Sequence, residues 1–402
     1  MGWNKRAATR MEEKPPIFPH HIESRILLNL PVKNLLKLSI INKEWNATLA
    51  SNKFVQDHSS HKTNCTKLVV CWNENVFGLA GEHTTFSLFN DGSLDNYVEA
   101  VDFNLIGKFC DLYGPYKGVF LVAVDRGRSG NKLAVWNPST RRLRPLPPHQ
   151  AELDSGLRIS LDPVALFVDA NLDFKVLALH GYDTLASGPA RKCILFSSAN
   201  NSWKVMNVPI LEGYYVERSS TGVVYFGGCF YRIIRECDQQ RVRSIIEIDM
   251  SNETFTTIQI PDGAQSNVLE FEDEIQLANY QDRLALLTFI DDNRIDVWLR
   301  ESDGSFSKFH QVEISNNTVV VLGFWDQKLM YRVGCVDVQL YDIGSKTTAL
   351  LGFAKNSERD LQNMVGISIF HYKESLVSLK DKEAQIEALY IQSAGAVEFF
   401  NA

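Results

Sequence analysis

"LAVWNPSTRRLRPLP", residues Leu133–Pro147, reads as two short β-runs around a polar turn. Apolar side chains fill the first run. Asn137-Pro138-Ser139-Thr140 has turn composition, and a second run with an apolar close follows. The same phrase is written four more times: "ILFSSANNSWKVMNVP" (194–209), "IIEIDMSNETFTTIQIP" (245–261), "IDVWLRESDGSFSKFHQVEI" (295–314) and "VQLYDIGSKTTALLGF" (338–353). Its bulky anchors, Trp136, Phe196, Ile248, Trp298 and Tyr341, stand 60, 52, 50 and 43 residues apart. A hairpin repeated at such intervals points to stacked or radial β-architecture.

From Lys67 onward the remaining text is of the same kind. Short β-runs such as "KLVVCW", "GVFLVAV", "FKVLALH", "LALLTFI", "TVVVLGF" and "KLMYRV" alternate with turn signals. Four strands per roughly 50 residues is the period of a kelch-type propeller blade. Gly227-Gly228 supplies the double glycine that such blades often carry. The expectation is a propeller-like all-β domain of six or seven blades over residues 67–402. A pair of β-sandwiches or an irregular β-solenoid is the alternative. A propeller must close, because an open ring leaves sheet edges bare. "KLVVCW" near the start and "ISIFHYKESLVSL" near the end are the candidates to share the closing blade.

Ahead of this body the pattern changes from period two to helical spacing. "PHHIESRILLNLP" (19–31) is bracketed by prolines, and Ile22, Ile26, Leu27 and Leu30 form one stripe. "VKNLLKLSII" repeats the spacing through Val32, Leu35, Leu36 and Ile40. Asn42 is a candidate N-cap for a third helix carrying Trp45 and Leu49. The organisation expected is α+β multidomain: a disordered tail over 1–16, a three-helix module over 17–60, a connector over 61–66 and the β body.

The chain holds 402 residues with a formal charge of −7. Residues 1–62 hold ten Lys/Arg and five Asp/Glu, and the remainder 31 and 43, so the two parts differ in sign. An acidic bulk argues against a nucleic-acid partner. No run reaches the ~18 apolar residues of a membrane span, and no signal peptide opens the chain. Seven cysteines without a CxxC pair argue for reduced thiols, an intracellular setting and no zinc site.

Catalytic motifs are not evident. There is no phosphate loop, HExxH or GxSxG elbow. His58 and His61 lack companion ligands for a metal. The carboxylate runs Glu270–Glu274 and Ile290–Asp296 read as solvated loops, although a propeller hydrolase would need two converging carboxylates. "RRLR" (141–144) is too short for a nucleic-acid patch and reads as pairing with acids of the body. No enzyme activity and no cofactor are expected.

"FPHHIESRILLNLPVKNLLKLSIINKEWNATLAS" resembles a plant F-box. The likeness lies in the Pro19 entry, Ile26-Leu27, the Leu30-Pro31-Val32-Lys33 turn, Leu35-Leu36 and the Trp45-to-Leu49 close. Phe18-Pro19 stands where Leu-Pro is usual, His20-His21 replaces an acidic pair, and Ile40-Ile41 replaces Cys-Val. The body is similar to plant F-box-associated domains in "AVWNPSTRRLRPLP", "IDVWLRESDGSFSKFHQVEI", "LYDIGSKTTALLGF" and "YKESLVSL". It departs from them at "CDLYGPYKGVFLV", where only Cys110, Gly114 and Gly118 keep the pattern.

The resemblance implies a substrate receptor of an SCF-type ubiquitin ligase, docked on a Skp-type adaptor and through it on a cullin, in cytoplasm or nucleus. The implied adaptor contacts are Pro19, Ile22, Ile26, Leu27, Leu30, Pro31, Leu35, Leu36, Ile41 and Trp45. The target side falls to loops carrying Tyr182, Tyr214, Tyr215, Leu269 and Phe271. An acidic body suits a basic protein target, and secreted ribonucleases are the targets of the S-locus F-box group within this family. A scaffold or sequestering protein that binds the adaptor without delivering a substrate, and a propeller hydrolase, are the other readings.

Overall fold

A strand whose two faces are both buried needs apolar residues at every position, not at alternate ones. "LALLTFI" meets that demand, and the structure shows why. Leu284 and Leu286 face one apolar cluster while Ala285 and Leu287 face another. The computed structural model describes residues 20–379, apart from 63, 65, 77–80, 90–96, 106–109, 126–130, 150–158, 183–191, 209–213, 217–223, 237–242, 265–274, 292, 315–318, 335–336 and 352–363. The tail expected over 1–16 lies outside the described residues.

Four helices come first: α1 (His20–Leu28), α2 (Val32–Ile41), α3 (Lys43–Leu49) and α4 (Asn52–Ser60). Asn42 caps α3 as expected, its side chain accepting from Glu44 N–H at 2.8 Å. The fourth helix corrects the three-helix expectation. "NKFVQDHSS" offers only Phe54 and Val55 as apolar signal, but Ser51 caps its N-terminus and both apolar side chains are buried.

The β body is a six-bladed propeller. The first blade contains β1 (Lys67–Val76), β2 (Gly81–Phe89) and β3 (Tyr97–Leu105). The second contains β4 (Cys110–Tyr116), β5 (Val119–Asp125), β6 (Asn131–Asn137) and β7 (Arg142–Pro145). In the third, β8 (Ile159–Val168), β9 (Phe174–Tyr182), β10 (Lys192–Ser197) and β11 (Ser202–Met206) follow in order. The fourth splits its first strand into β12 (Tyr214–Val216) and β13 (Val224–Phe226), both paired with β14 (Cys229–Glu236), then adds β15 (Arg243–Asp249) and β16 (Thr254–Gln259). The fifth runs β17 (Ile275–Tyr280), β18 (Arg283–Asp291), β19 (Arg294–Arg300) and β20 (Phe306–Glu313). The sixth runs β21 (Val319–Trp325), β22 (Lys328–Val333), β23 (Asp337–Asp342) and β24 (Thr347–Leu350). Finally β25 (Met364–Tyr372) returns to pair antiparallel with β1, Lys67 opposite Tyr372, and closes the ring as the expected segments required.

Each of the five sequence anchors sits on the third strand of its blade and packs toward the preceding blade. The turn that follows is also shared. Asn137, Asp249 and Asp342 accept backbone N–H groups two or three residues on, and the fourth turn residue, Arg141, Asn201, Glu253 or Lys346, is left-handed. The apolar clusters overlap around the ring: blades one and two, two to four, four and five, five and six, six and one. Every blade therefore buries both faces against its neighbours.

Candidate functional site

The helical module has a small core of its own. Leu27, Leu35, Leu49 and Phe54 are buried, with Leu28, Leu30, Leu38 and Trp45 packed around them. His58 is buried on α4, and its Nε2 lies 2.9 Å from the Leu30 carbonyl, pinning the α1–α2 turn. That contact gives His58 a structural role. Among the described residues no group of three or more His, Cys, Asp or Glu is arranged to hold a metal. No helix among them is long and apolar enough to cross a membrane.

The ten residues implied as adaptor contacts separate into two sets. Leu27 and Leu35 lie in the module's core, and Leu30, Leu36 and Trp45 are half-buried. Ile22, Ile26 and Ile41 are 38%, 50% and 75% exposed, and Pro31 is exposed. Pro19 lies outside the described residues. Ile40 was not among the implied contacts, yet at 86% it is the most exposed of the large apolar side chains described. Its signal was the substitution of Ile40-Ile41 for Cys-Val, which put two bulky side chains at the end of α2.

The module seats on the end of the ring formed by the first-to-second and third-to-fourth turns. Val55 of α4 enters the cluster of blades two to four, and Gln56 Nε2 donates to Ala170 O at 2.7 Å. The segment after β25 does the rest. Asn137 is fully buried, and its Nδ2 donates to Ser375 O (3.0 Å) and Val377 O (2.9 Å). Ser139 Oγ accepts from Ser375 N–H at 2.9 Å and pairs with the Tyr372 hydroxyl, which burial pushes well above its ordinary pKa. Gly118 (φ +74°) underlies this crossing, because a Cβ there would collide with Ser375 Cβ and the Lys373 carbonyl. Leu376 packs on the module's core. The Trp-Asn-Pro-Ser-Thr turn and the "YKESLVSL" segment, singled out separately in the sequence, thus grip each other.

At the opposite end, Tyr182 closes β9 and Tyr214 opens β12, with Tyr215 beside it. Leu269, Phe271 and the run Glu270–Glu274 lie outside the described residues. Asp291 and Asp296 take different environments: Asp291 is exposed and bound to Arg294, whereas Asp296 is buried against Gln311 and Lys308. In "RRLR", Arg144 is buried, bonds Asn201 Oδ1 of the next blade at 3.0 Å and lies over the Phe174 ring. Cys193 is buried, which pushes its thiol up to about 12 and leaves it a packing residue.

The profile of the F-box associated beta propeller domain matches residues 68–318, more than half of the chain. The chain belongs to that family. Its similarity to individual plant F-box proteins is distant but broad. F-box protein At3g08750 of Arabidopsis thaliana is 22% identical over 89% of this chain and 88% of its own. F-box/LRR-repeat protein At2g43260 of the same plant is 24% identical over 77% of this chain and 70% of its own. Among solved structures, TolB from Acinetobacter baumannii aligns at 10% identity over 75% of this chain and 66% of its own, with a TM-score of 0.40, too distant to carry weight.

Proposed function

We propose that α1–α4 are an F-box docking on a Skp-type adaptor, and that the chain is the target-binding subunit of an SCF-type ubiquitin ligase. The observation that carries this reading is the apolar exposure of Ile22, Ile26, Ile40 and Ile41 on a module attached to an F-box-associated propeller. Each Å² of such surface removed from water by a partner is worth roughly 25 cal/mol. Ile22, Ile26 and Ile41, with Ile40 added, are the proposed direct contacts, together with Pro19, Pro31 and the open parts of Leu30, Leu36 and Trp45. Leu27 and Leu35 support that surface from within.

The target is proposed to meet the far end of the ring, where Tyr182 closes β9 and Tyr214 and Tyr215 open β12. Leu269 and Phe271, outside the described residues, are proposed as target contacts from the sequence alone. An acidic β body favours a basic protein, a secreted-type ribonuclease being one candidate. The chain itself performs no covalent step. Its contribution is proximity, raising the effective concentration of target lysines beside a charged ubiquitin held by the cullin assembly, in cytoplasm or nucleus.

The test is a pull-down of full chain with purified Skp-type adaptor, wild type beside Ile40→Asp with Ile41→Asp. Retention of wild type and loss of the double variant, with an unchanged melting curve, is the expected outcome. Equal retention of both would end the assignment of this face, and failure of folded wild type to bind would end the F-box reading.

A further inference from the structure

Helix α2 begins without a side-chain cap of its own. Its N-cap residue is Pro31, which has no polar side chain to offer, and no cap bond is formed there. A helix start leaves N–H groups without intrahelical partners, and those groups favour a nearby carboxylate. The carboxylate is supplied from 342 positions away in the sequence. Glu374 Oε2 accepts from Val32 N–H at 3.1 Å. Its other oxygen holds Lys67 Nζ at 2.5 Å, at the entry to β1, and its carbonyl accepts from Asn64 Nδ2 at 2.8 Å. Glu374 therefore touches the module, the connector and the first blade at once.

Its own position is not free. Glu374 directly precedes Ser375, whose N–H and carbonyl are fixed by Ser139 and Asn137, and follows β25, which closes the ring. From the ring outward, the order is blade, clasped segment, carboxylate, helix start. Val55 and Gln56 give the module a second point of attachment on another helix. Two separated attachments define an orientation where one would leave a swivel.

We infer that Glu374 is a positioning residue, capping α2 from the ring so that the helical module is held at one angle to the propeller. The consequence rests on the adaptor-docking reading: a target on the ring would then be presented to a bound adaptor at one distance, not swept through many. The orientation itself does not rest on that reading.

The experiment measures orientation in the full chain without any partner. Seven cysteines make thiol labelling unselective, so a spin-labelled unnatural residue replaces exposed Ala47 on α3 and exposed Ser302 between β19 and β20. Pulsed dipolar spectroscopy then gives the distance distribution. Wild type should show one narrow peak. Glu374→Ala should broaden it roughly twofold or more, with the ring's melting temperature and the adaptor affinity unchanged. Glu374→Gln keeps an oxygen for Val32 N–H while losing the ion pair with Lys67, and should stay narrow.

An alanine variant as narrow as wild type would overturn the proposal. So would a glutamine variant as broad as the alanine one, since the cap and not the ion pair is the proposed tie. Loss of the ring's own transition in the alanine variant would also overturn it, because Glu374 would then be holding the propeller. Failure of wild type to bind adaptor would strike the F-box reading and leave the distances untouched.

Discussion

The ring and the helical module treat apolar surface in opposite ways. In the ring, both faces of a blade find a neighbour, and the large apolar side chains left exposed among the described residues are scattered: Val205, Ile290, Phe309 and Leu350, each on a different strand. In the module, Ile22, Ile26, Ile40 and Ile41 are exposed within twenty residues. Scattered exposure is ordinary, whereas four exposed isoleucines on one short module are what the proposed docking rests on. Closure explains the ring. A short bundle can bury only one side of each helix, so its other side is available for a partner.

The comparison breaks most sharply at Leu35. If its place is the module's interior and not the docking face, Leu35→Asp removes a buried apolar side chain and buries a charge. A loss above about 4 kcal/mol is expected. Calorimetry should then show the module's contribution abolished and the ring's transition retained. Loss of adaptor binding in this variant would report unfolding, which is why the exposed Ile40-Ile41 pair is the cleaner probe. A Leu35→Asp chain with an unmoved melting profile would put Leu35 on the surface and erase the distinction between the two sets.

How far the sequence reaches follows the same line. The five anchors and their polar turns were legible because each hairpin is local, and the anchor must be bulky to reach the preceding blade. The closing pair was legible because a propeller must close and these β-runs stand at the start and the end of the β body. Blade number stayed open at six or seven because the closing blade is divided between the chain ends and carries no such hairpin. In the module, one helical stripe holds both Leu27 and Ile26, and spacing alone does not say which of the two faces inward. Glu374 stood in the sequence only inside the closing candidate "ISIFHYKESLVSL" and the resemblance "YKESLVSL", with no role of its own. A cap reached across 342 positions leaves no local pattern.

Asn137 tests the ring's side of the comparison. Asp249 and Asp342 make the equivalent turn bonds in other blades, so a carboxylate suffices for the turn. What Asp lacks is the NH₂ that Asn137 points at two carbonyls. Asn137→Asp should preserve the turn, turn an acceptor onto two acceptors in a buried site and cost about 3 kcal/mol. Chemical denaturation of the full chain should show this as a lower midpoint at unchanged slope. A variant within about 0.5 kcal/mol of wild type would mean that the clasp adds little to a ring already closed by β25.

The smallest effect belongs to the rim. Glu253, in the fourth blade's last turn, bonds Lys175 at 2.8 Å and Lys204 at 2.7 Å on the third blade. Hydrogen bonds from Lys175 and then Lys204 hold its carboxyl below the ordinary glutamate value of 4.5. Because the folded value is the lower one, the stabilisation is full above pH 4.5 and fades as the pH falls through the folded value. Ion pairs this open to water are worth about 1 kcal/mol or less. Glu253→Gln should therefore lower stability slightly at pH 7, and the gap to wild type should close as both are titrated into acid. If the blades are joined by shared apolar clusters, that gap stays small throughout. A gap of several kcal/mol at neutral pH that disappears in acid would move the seam's strength from core to rim, and the ring's contrast with the module would then rest on charge as much as on burial.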